Sequence, residues 1–561
     1  MFYDLIKFHR LSEISMYELV DKVKSPSVSF FMEEKVMKRT IKIVLLSVFV
    51  CFFAASAMAQ EKIYWDVVEK IREEGFQNSH LMEDVSYMTD VYGPRLPKSP
   101  SYLAAAKWVK TKFEEYGLSN VTLNPYEFGI GWQNEYTSVH MMSPQYMHLI
   151  AYPQSWSAPT DGKVRGPVVF MNFQEIPSLN ALNSFKGKLK GAIVFTAPKR
   201  HLEPSFQPDA VLLTKDQLDL MALTPIKVQK QDRKGRYEGR TGVQRRKIID
   251  FLISEGAVAV VSCEQVYDDG IVMVTKVPGR PWEKGAPPQA TELVMAAEHY
   301  NRIMRIMEKG IPVEMEVEIR VSYSKDNLTD YNVIAELPGT DLADEVVMVG
   351  GHLDAHAGAT GAEDNATGAA QVLEAARILK AIGAKPRRTI KFVLWGGEET
   401  GHIGSKAYVQ KHFLDPNTGK STPEHARFSG YFNLDYGTGK IRGVYLMNNF
   451  LAKPIMDAWM EPFHDVGMTH SILVPGQDIG SDHTEFEDVG LPVFPFLQDP
   501  VENDSITFHS NMDFYDKIIP EYLIQGAVIV ASFVYHAAMK DGKLPRKSTH
   551  LNQKHPQKRD E

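Results

Sequence analysis

Two imidazoles and three carboxylates in the C-terminal half of the chain have the types and order to hold metal: His352, Asp364, Glu399, Asp435 and His509. Such N and O donors suit Zn²⁺, and one carboxylate among them can bridge two ions about 3.5–4 Å apart. The remaining four donors then divide two per ion, which leaves room for a shared water. Glu398 stands directly before Glu399, and two carboxylates brought together away from water repel unless a cation or a proton sits between them. That repulsion is the physical argument for metal. Taken singly the motifs say little, because His352-Leu353-Asp354 alone reads as a surface pair and adjacent glutamates on a helix as a solvated face. Ser481, Asp482 and His483 have the ingredients of a nucleophilic triad, but sequence neighbours point in different directions and triads are assembled in space. They are expected to line or support the site. His356 and His402 lie near the ligands in sequence, where they could touch substrate, but ordinary surface histidines are the expected reading of both. Gly437-Thr438-Gly439-Lys440 lacks the spacing of a phosphate loop.

Donors this far apart in sequence need a scaffold, and the hydropathy pattern supplies one. A strand predicted at 346–349 runs into Gly350-Gly351-His352-Leu353-Asp354, and one at 389–395 runs into Gly396-Gly397-Glu398-Glu399. The segment 431–434 runs into Asp435. In open α/β sheets ligands bind beyond the carboxyl ends of strands, so these three places are expected to share one crevice. Asp364 falls in the loop before a helix predicted over 367–381, whose stripe of Val372, Leu373, Ala376 and Leu379 stops at Gly383 and Pro386. His509 lies downstream. Strands alternating with helices predict an α/β fold: a mixed, mostly parallel β-sheet sandwiched by helices. Upstream, helices predicted at 64–73 and 104–116 flank a loop at Gly93-Pro94-Arg95. From 151 to 310 short β-type runs at 168–171, 192–195 and 257–261 alternate with Gly/Pro/Lys turns, which reads as an inserted β-rich domain. Within it, residues 227–247 carry nine Lys/Arg against two acids, with Tyr237 their only aromatic. Without aromatic interleaving this run is expected to be a solvated loop, not a nucleic-acid patch.

At 561 residues the chain is too long for one compact domain, and 44% hydrophobic with 24% charged residues is ordinary globular composition. A formal net charge of −8 gives no electrostatic reason to expect nucleic acid or an anionic membrane as partner. The basic stretch Met37-Lys38-Arg39-Thr40-Ile41-Lys42, the apolar run 43–55 and Ala57-Met58-Ala59 read as a signal peptide over 37–59, cleaved before Gln60. The apolar run is shorter than the roughly 20 residues a membrane span needs, so no stable membrane insertion is expected after cleavage. Residues 1–36 are then expected to be an upstream extension from a gene start placed too early. The protein is expected to be exported, to the periplasm or the medium. Past residue 59 the one cysteine is Cys263, so packing and metal, not a disulfide, must hold the chain. The expected division is 60–150 as the N-terminal part of the main domain, 151–310 as the insertion, 311–542 as the catalytic part and 543–561 as a disordered tail.

Together these motifs resemble a known family, the co-catalytic zinc exopeptidases of the M28 clan, which includes bacterial aminopeptidases and carboxypeptidase Q. The residues that carry the likeness are His352-Leu353-Asp354, Asp364-Asn365, Trp395-Gly396-Gly397-Glu398-Glu399-Thr400-Gly401, Leu434-Asp435, Ser481-Asp482-His483 with Gly490-Leu491-Pro492, and His509. Gly93-Pro94-Arg95 and Asn332-Val333-Ile334-Ala335 add to it. The likeness spans nearly all of the chain past residue 59, and the insertion resembles a protease-associated domain. The resemblance implies a zinc exopeptidase fold with two Zn²⁺ ions. Asp364 would bridge them, His352 and Asp435 would complete one site, and Glu399 and His509 the other. Glu398 would be the general base, and Asp354 would orient the His352 imidazole. The peptide bond from Asp364 to Asn365 is expected to be cis. The implied activity is hydrolysis of terminal bonds of peptides or dipeptides, as an aminopeptidase or a carboxypeptidase Q-like dipeptidase, the context of His352 leaning to the latter. Two other functions occur on this fold: a non-catalytic receptor or scaffold, which loss of ligands would mark, and a single-zinc acyltransferase resembling glutaminyl cyclase, which metal stoichiometry would separate.

Overall fold

A computed structural model of the protein describes residues 61–223, 242–473 and 480–547. The expected extension 1–36, the signal segment 37–59, most of the basic run and most of the tail lie outside the described residues.

The strands ahead of the metal donors form the middle of an eight-stranded sheet. Its order is Ser119–Glu127, Thr329–Leu337, Arg388–Trp395, Leu342–His352, Phe428–Asn433, Val493–Gln498, Ile441–Tyr445 and His470–Ile472. The four central strands, from Arg388–Trp395 to Val493–Gln498, run parallel, and the flanking ones add antiparallel pairings. Parallel strands are covered on both faces, so their sequences are apolar almost throughout; every residue of Phe428–Asn433 and Val493–Gln498 is buried. Side chains alternate between the two layers. Val347 and Val349 face a core with the helices Thr367–Ala381 and Pro520–Met539, while Met348 faces Trp395, Tyr431 and Phe486. Helices Trp65–Gln77 and Pro100–Glu115 join the first layer, the latter capped by Ser99 Oγ, which accepts from the Tyr102 N–H at 3.1 Å. Pro520–Met539 is long and apolar enough to cross a membrane by length and composition, but 83% of its most apolar window is buried inside the protein. It is the central helix of this core.

A second eight-stranded sheet occupies the middle of the chain, in the order Met147–His148, Gly131–Ser143, Glu314–Ser324, Val164–Phe170, Ile193–Phe195, Ala259–Cys263, Glu292–Met295 and Ala151–Pro153. It reaches past the expected 151–310 at both ends, because Gly131–Ser143 pairs antiparallel with Glu314–Ser324 from Gly131↔Ser324 to Ser143↔Glu314. Its strands from Val164–Phe170 to Glu292–Met295 are parallel, and the helices Gly242–Ser254 and Ala297–Met307 accompany them. Parallel strands need crossovers, so this unit is itself α/β in part. Residues 242–247 of the basic run, expected in a loop, belong to that first helix, where Arg245 pairs with Glu292 and Arg246 with Asp250.

The loops that carry the donors are tied down from below by Arg95. This side chain is fully buried. Its Nε donates to Leu353 O at 2.7 Å, Nη1 to Met88 O at 2.8 Å and Thr360 O at 2.7 Å, and Nη2 to Gly361 O at 2.8 Å. Burial pulls its pKa down to about 10, and the charges of Asp513, Asp354 and Asp364 hold it cationic. Arg95→Met would strand these buried carbonyls at about 1–3 kcal/mol each. We therefore expect a loss of at least about 3 kcal/mol in denaturant unfolding; an unchanged midpoint would contradict this role.

Candidate metal centre

Each donor is placed by a strand end or by a braced loop. His352 closes Leu342–His352, and Asp435 follows Phe428–Asn433 by two residues. Beyond Trp395 the chain turns sharply through Gly396 and Gly397. A Cβ on Gly396 would lie 2.1 Å from the Tyr102 hydroxyl, and Gly397 has φ +72°. The turn is capped by Asp354, whose two carboxylate oxygens accept from the backbone N–H of Glu398 and of Glu399, both at 3.1 Å. Asp513 plays the same part for the other loop, accepting from Glu363 N at 2.6 Å and Asp364 N at 3.1 Å. The Asp364–Asn365 bond is cis. His509 sits at φ +53° in an irregular segment held by the second sheet's loops. Val274 N donates to His509 O at 2.8 Å, the Tyr267 hydroxyl to Phe508 O at 2.9 Å, and Asn511 N to Val272 O at 3.0 Å.

These supports bring all five expected ligands together. His352 Nε2 lies 3.1 Å from Asp364 Oδ1 and 2.9 Å from Asp435 Oδ1. His509 Nε2 lies 3.2 Å from Asp364 Oδ2 and 3.1 Å from Glu399 Oε2. Asp364 thus turns one oxygen to each histidine. Neighbouring ligands on one tetrahedral Zn²⁺, with bonds of about 2.0–2.1 Å, stand roughly 3.3 Å apart, so the separations fit. Glu399 Oε1 is buried with no hydrogen-bond partner, a vacancy in hydrogen bonding that a cation's charge would offset. Among the described residues the donors fall into two groups whose ligand atoms lie within 4.8 Å of one another: His352, Asp364 and Asp435, and His356, Glu399 and His509.

The electrostatics ask for positive charge. Burial would lower the His352 and His509 pKa values, but Asp435 and Asp364 at the first, and Glu399 and Asp364 at the second, hold both well above the ordinary imidazole range. Burial pushes Glu399 up, yet His356 and His509 hold it well below its usual range. Asp364 is likewise raised by burial and by Glu399, and held low by His352 and His509. A divalent cation meets the same demand while requiring neutral imidazoles.

Three residues differ from their sequence-based expectation. Asp354 does not orient His352 through its carboxylate, which stands 3.8 Å from Nδ1; the Asp354 backbone carbonyl takes that bond at 2.9 Å, leaving the carboxylate free to cap the Glu398–Glu399 turn. His356 is not a surface histidine but 7% exposed, with Nε2 3.0 Å from Glu399 Oε2. His402 is not one either. It lies between two carboxylates, Nε2 3.2 Å from Glu398 Oε1 and Nδ1 3.4 Å from Glu485 Oε1, and although burial lowers its pKa these partners bring it up to about 11. Burial raises Glu398, with Asp435 and Glu399 adding to the rise against His402 and His352. A loop histidine and a glutamate 83 residues away carry no joint signal in sequence. Ser481 accepts from Asn433 Nδ2 at 3.1 Å, and His483 is buried with its pKa lowered to about 3. Among the described residues no hydrogen bond links Ser481, Asp482 and His483 as a triad requires.

With this geometry in hand, comparison with known proteins is informative. Residues 332–534 match the model of peptidase family M28. The chain is 24% identical over 474 residues to carboxypeptidase Q of Bos taurus, covering 84% of this chain and 88% of that protein. Among solved structures, the peptidase M28 precursor of Shewanella amazonensis shares the fold with a TM-score of 0.61 at 23% identity, over 86% of this chain and 98% of that one. The zinc aminopeptidase BSAP of Bacillus subtilis does so with 0.52 at 19%, over 82% and 95%.

The cap by Asp354 generates a test. Asp354→Asn keeps one acceptor and turns an NH₂ group toward the other backbone N–H. We expect about 10–100-fold weaker zinc retention on dialysis against graded chelator; retention equal to wild type would remove Asp354 from the site's support.

Proposed function

We propose that this chain, whose residues 332–534 match the model of peptidase family M28, is an exported exopeptidase that removes terminal residues from peptides or dipeptides using two Zn²⁺ ions. The observation that carries the reading is Asp364, with one oxygen turned to His352 and the other to His509, as a bridging carboxylate requires. Convergence of all five donors beside Glu398 speaks against a non-catalytic scaffold. Two donor groups, not one, speak against a single-zinc acyltransferase.

Zinc held by these residues would supply a water of pKa near about 7 and an electrophile for the scissile carbonyl. The chain's own residues do the rest. Glu398, 12% exposed at its side chain, takes the proton of the attacking water and returns it to the departing amine. The upward push on its carboxyl suits a base that must also act as an acid. His402, fixed between Glu398 and Glu485, holds the Glu398 side chain in place. Asp354 holds the backbone beneath it. The second sheet, which we read as a protease-associated-like unit, braces His509. The reading of 37–59 as a signal peptide supports export, and the likeness to carboxypeptidase Q over most of both chains supports dipeptides as substrates.

Glu398→Gln should keep its zinc and lose about 10²–10⁴-fold in kcat; full turnover would exclude Glu398 as the base. The end that is trimmed is read from purified protein given N-blocked and C-blocked dipeptides with and without chelator. Carboxypeptidase Q-like action predicts cleavage of substrates with a free C-terminus, abolished by C-blocking and by chelator, whereas loss on N-blocking alone would make the protein an aminopeptidase.

A further inference from the structure

The two donor groups are not equivalent. His352 and Asp435 share their side with one further donor, Asp364. On the other side Asp364, Glu399 and His509 are joined by His356, whose Nε2 lies 3.0 Å from Glu399 Oε2. The His356 ring meets the His509 ring edge to face, with centroids 4.4 Å apart and planes at 81°. It is 7% exposed, and its Nδ1 is buried without a hydrogen-bond partner, so the ring is anchored through Nε2. His356 Nε2 thus meets the same carboxylate oxygen, Glu399 Oε2, that His509 Nε2 contacts.

We propose that His356 is a fourth protein ligand at the Glu399–His509 position, which closes that ion off and leaves the His352–Asp435 position as the open one where water and substrate meet. The separations His356–Glu399, His509–Glu399 and His509–Asp364, at 3.0, 3.1 and 3.2 Å, are close to the roughly 3.3 Å edge of a tetrahedral zinc site. Four protein donors characterise retained, structural zinc, and three with an open position characterise catalytic zinc. The inference rests on the two-ion reading above and adds a division of labour between the ions: one is kept, the other exchanges.

The test is zinc content of the full-length protein after dialysis against graded chelator, read by elemental analysis, together with the visible absorption of the Co²⁺-loaded protein. Wild type should lose its two ions in two separate steps. His356→Leu should weaken the tighter step by at least about 10-fold, since a direct donor should matter no less than the outer-shell groups whose loss costs 10–100-fold. Its Co²⁺ bands should shift, while the looser step stays put. Asp435→Asn should do the converse. If His356→Leu does not fold, His356→Gln, which keeps volume and polarity, takes its place in the same titration. Two-step release unchanged in the His356 variant would overturn the assignment of His356 and leave the two-ion reading standing. Wild type holding fewer than two ions would overturn both.

Discussion

Four carboxylates, Asp364, Glu398, Glu399 and Asp435, cannot be packed at the end of one sheet unless something offsets their mutual repulsion. Asp364, Glu399 and Asp435 reach within about 3 Å of imidazole nitrogens, at 2.9–3.2 Å, and Glu398 and the buried Asp354 and Asp482 add further acid around them. The surrounding fold is arranged to hold these groups against that repulsion. Parallel strands deliver His352, Glu398, Glu399 and Asp435 to one edge, and backbone N–H groups aimed at Asp354 and Asp513 lock the two loops between them. A buried guanidinium, Arg95, ties the carbonyl of Leu353 to those of Thr360 and Gly361, just ahead of Asp364.

His509 shows why the second sheet matters to chemistry. It lies in a turn just past the short π-helix Asn503–Thr507, and its backbone bonds go to Val274 and, through its neighbours, to Tyr267 and Val272. A second bridge between the units, Val211 with Val501, and the bonds of Arg442 to Leu213 and Asp499 fix the chain leading into that segment. One candidate donor is therefore held by a unit whose sheet contributes none of its own, so its packing bears directly on the geometry of the site.

Three of the four central strands and the helix Thr367–Ala381 were legible because buried parallel strands are largely apolar, and two of the three run into glycine pairs; Val493–Gln498, equally buried, was not read. The donors at their ends could be read by the same rule. His509 could be listed as a possible donor by residue type but not placed, since a loop braced by a distant unit has no local pattern. His356 and His402 were misread for a related reason: burial of a loop histidine is decided by what packs on it, Glu399 and His509 in one case and Glu398 and Glu485 in the other. The second sheet's first strand was hidden because Gly131–Ser143 is only partly buried, with exposed Glu135 and Tyr136 breaking its alternation. Asp354 was assigned to the right neighbourhood but to the wrong bond, a distinction that spacing does not carry.

The central claim is that one carboxylate, Asp364, sits between two bound cations. Anomalous diffraction at the zinc edge, from crystals of the protein grown with zinc, measures this directly. The account predicts two peaks about 3.5–4 Å apart, one against each oxygen of Asp364. A single peak, or zinc bound away from Asp364, would contradict it.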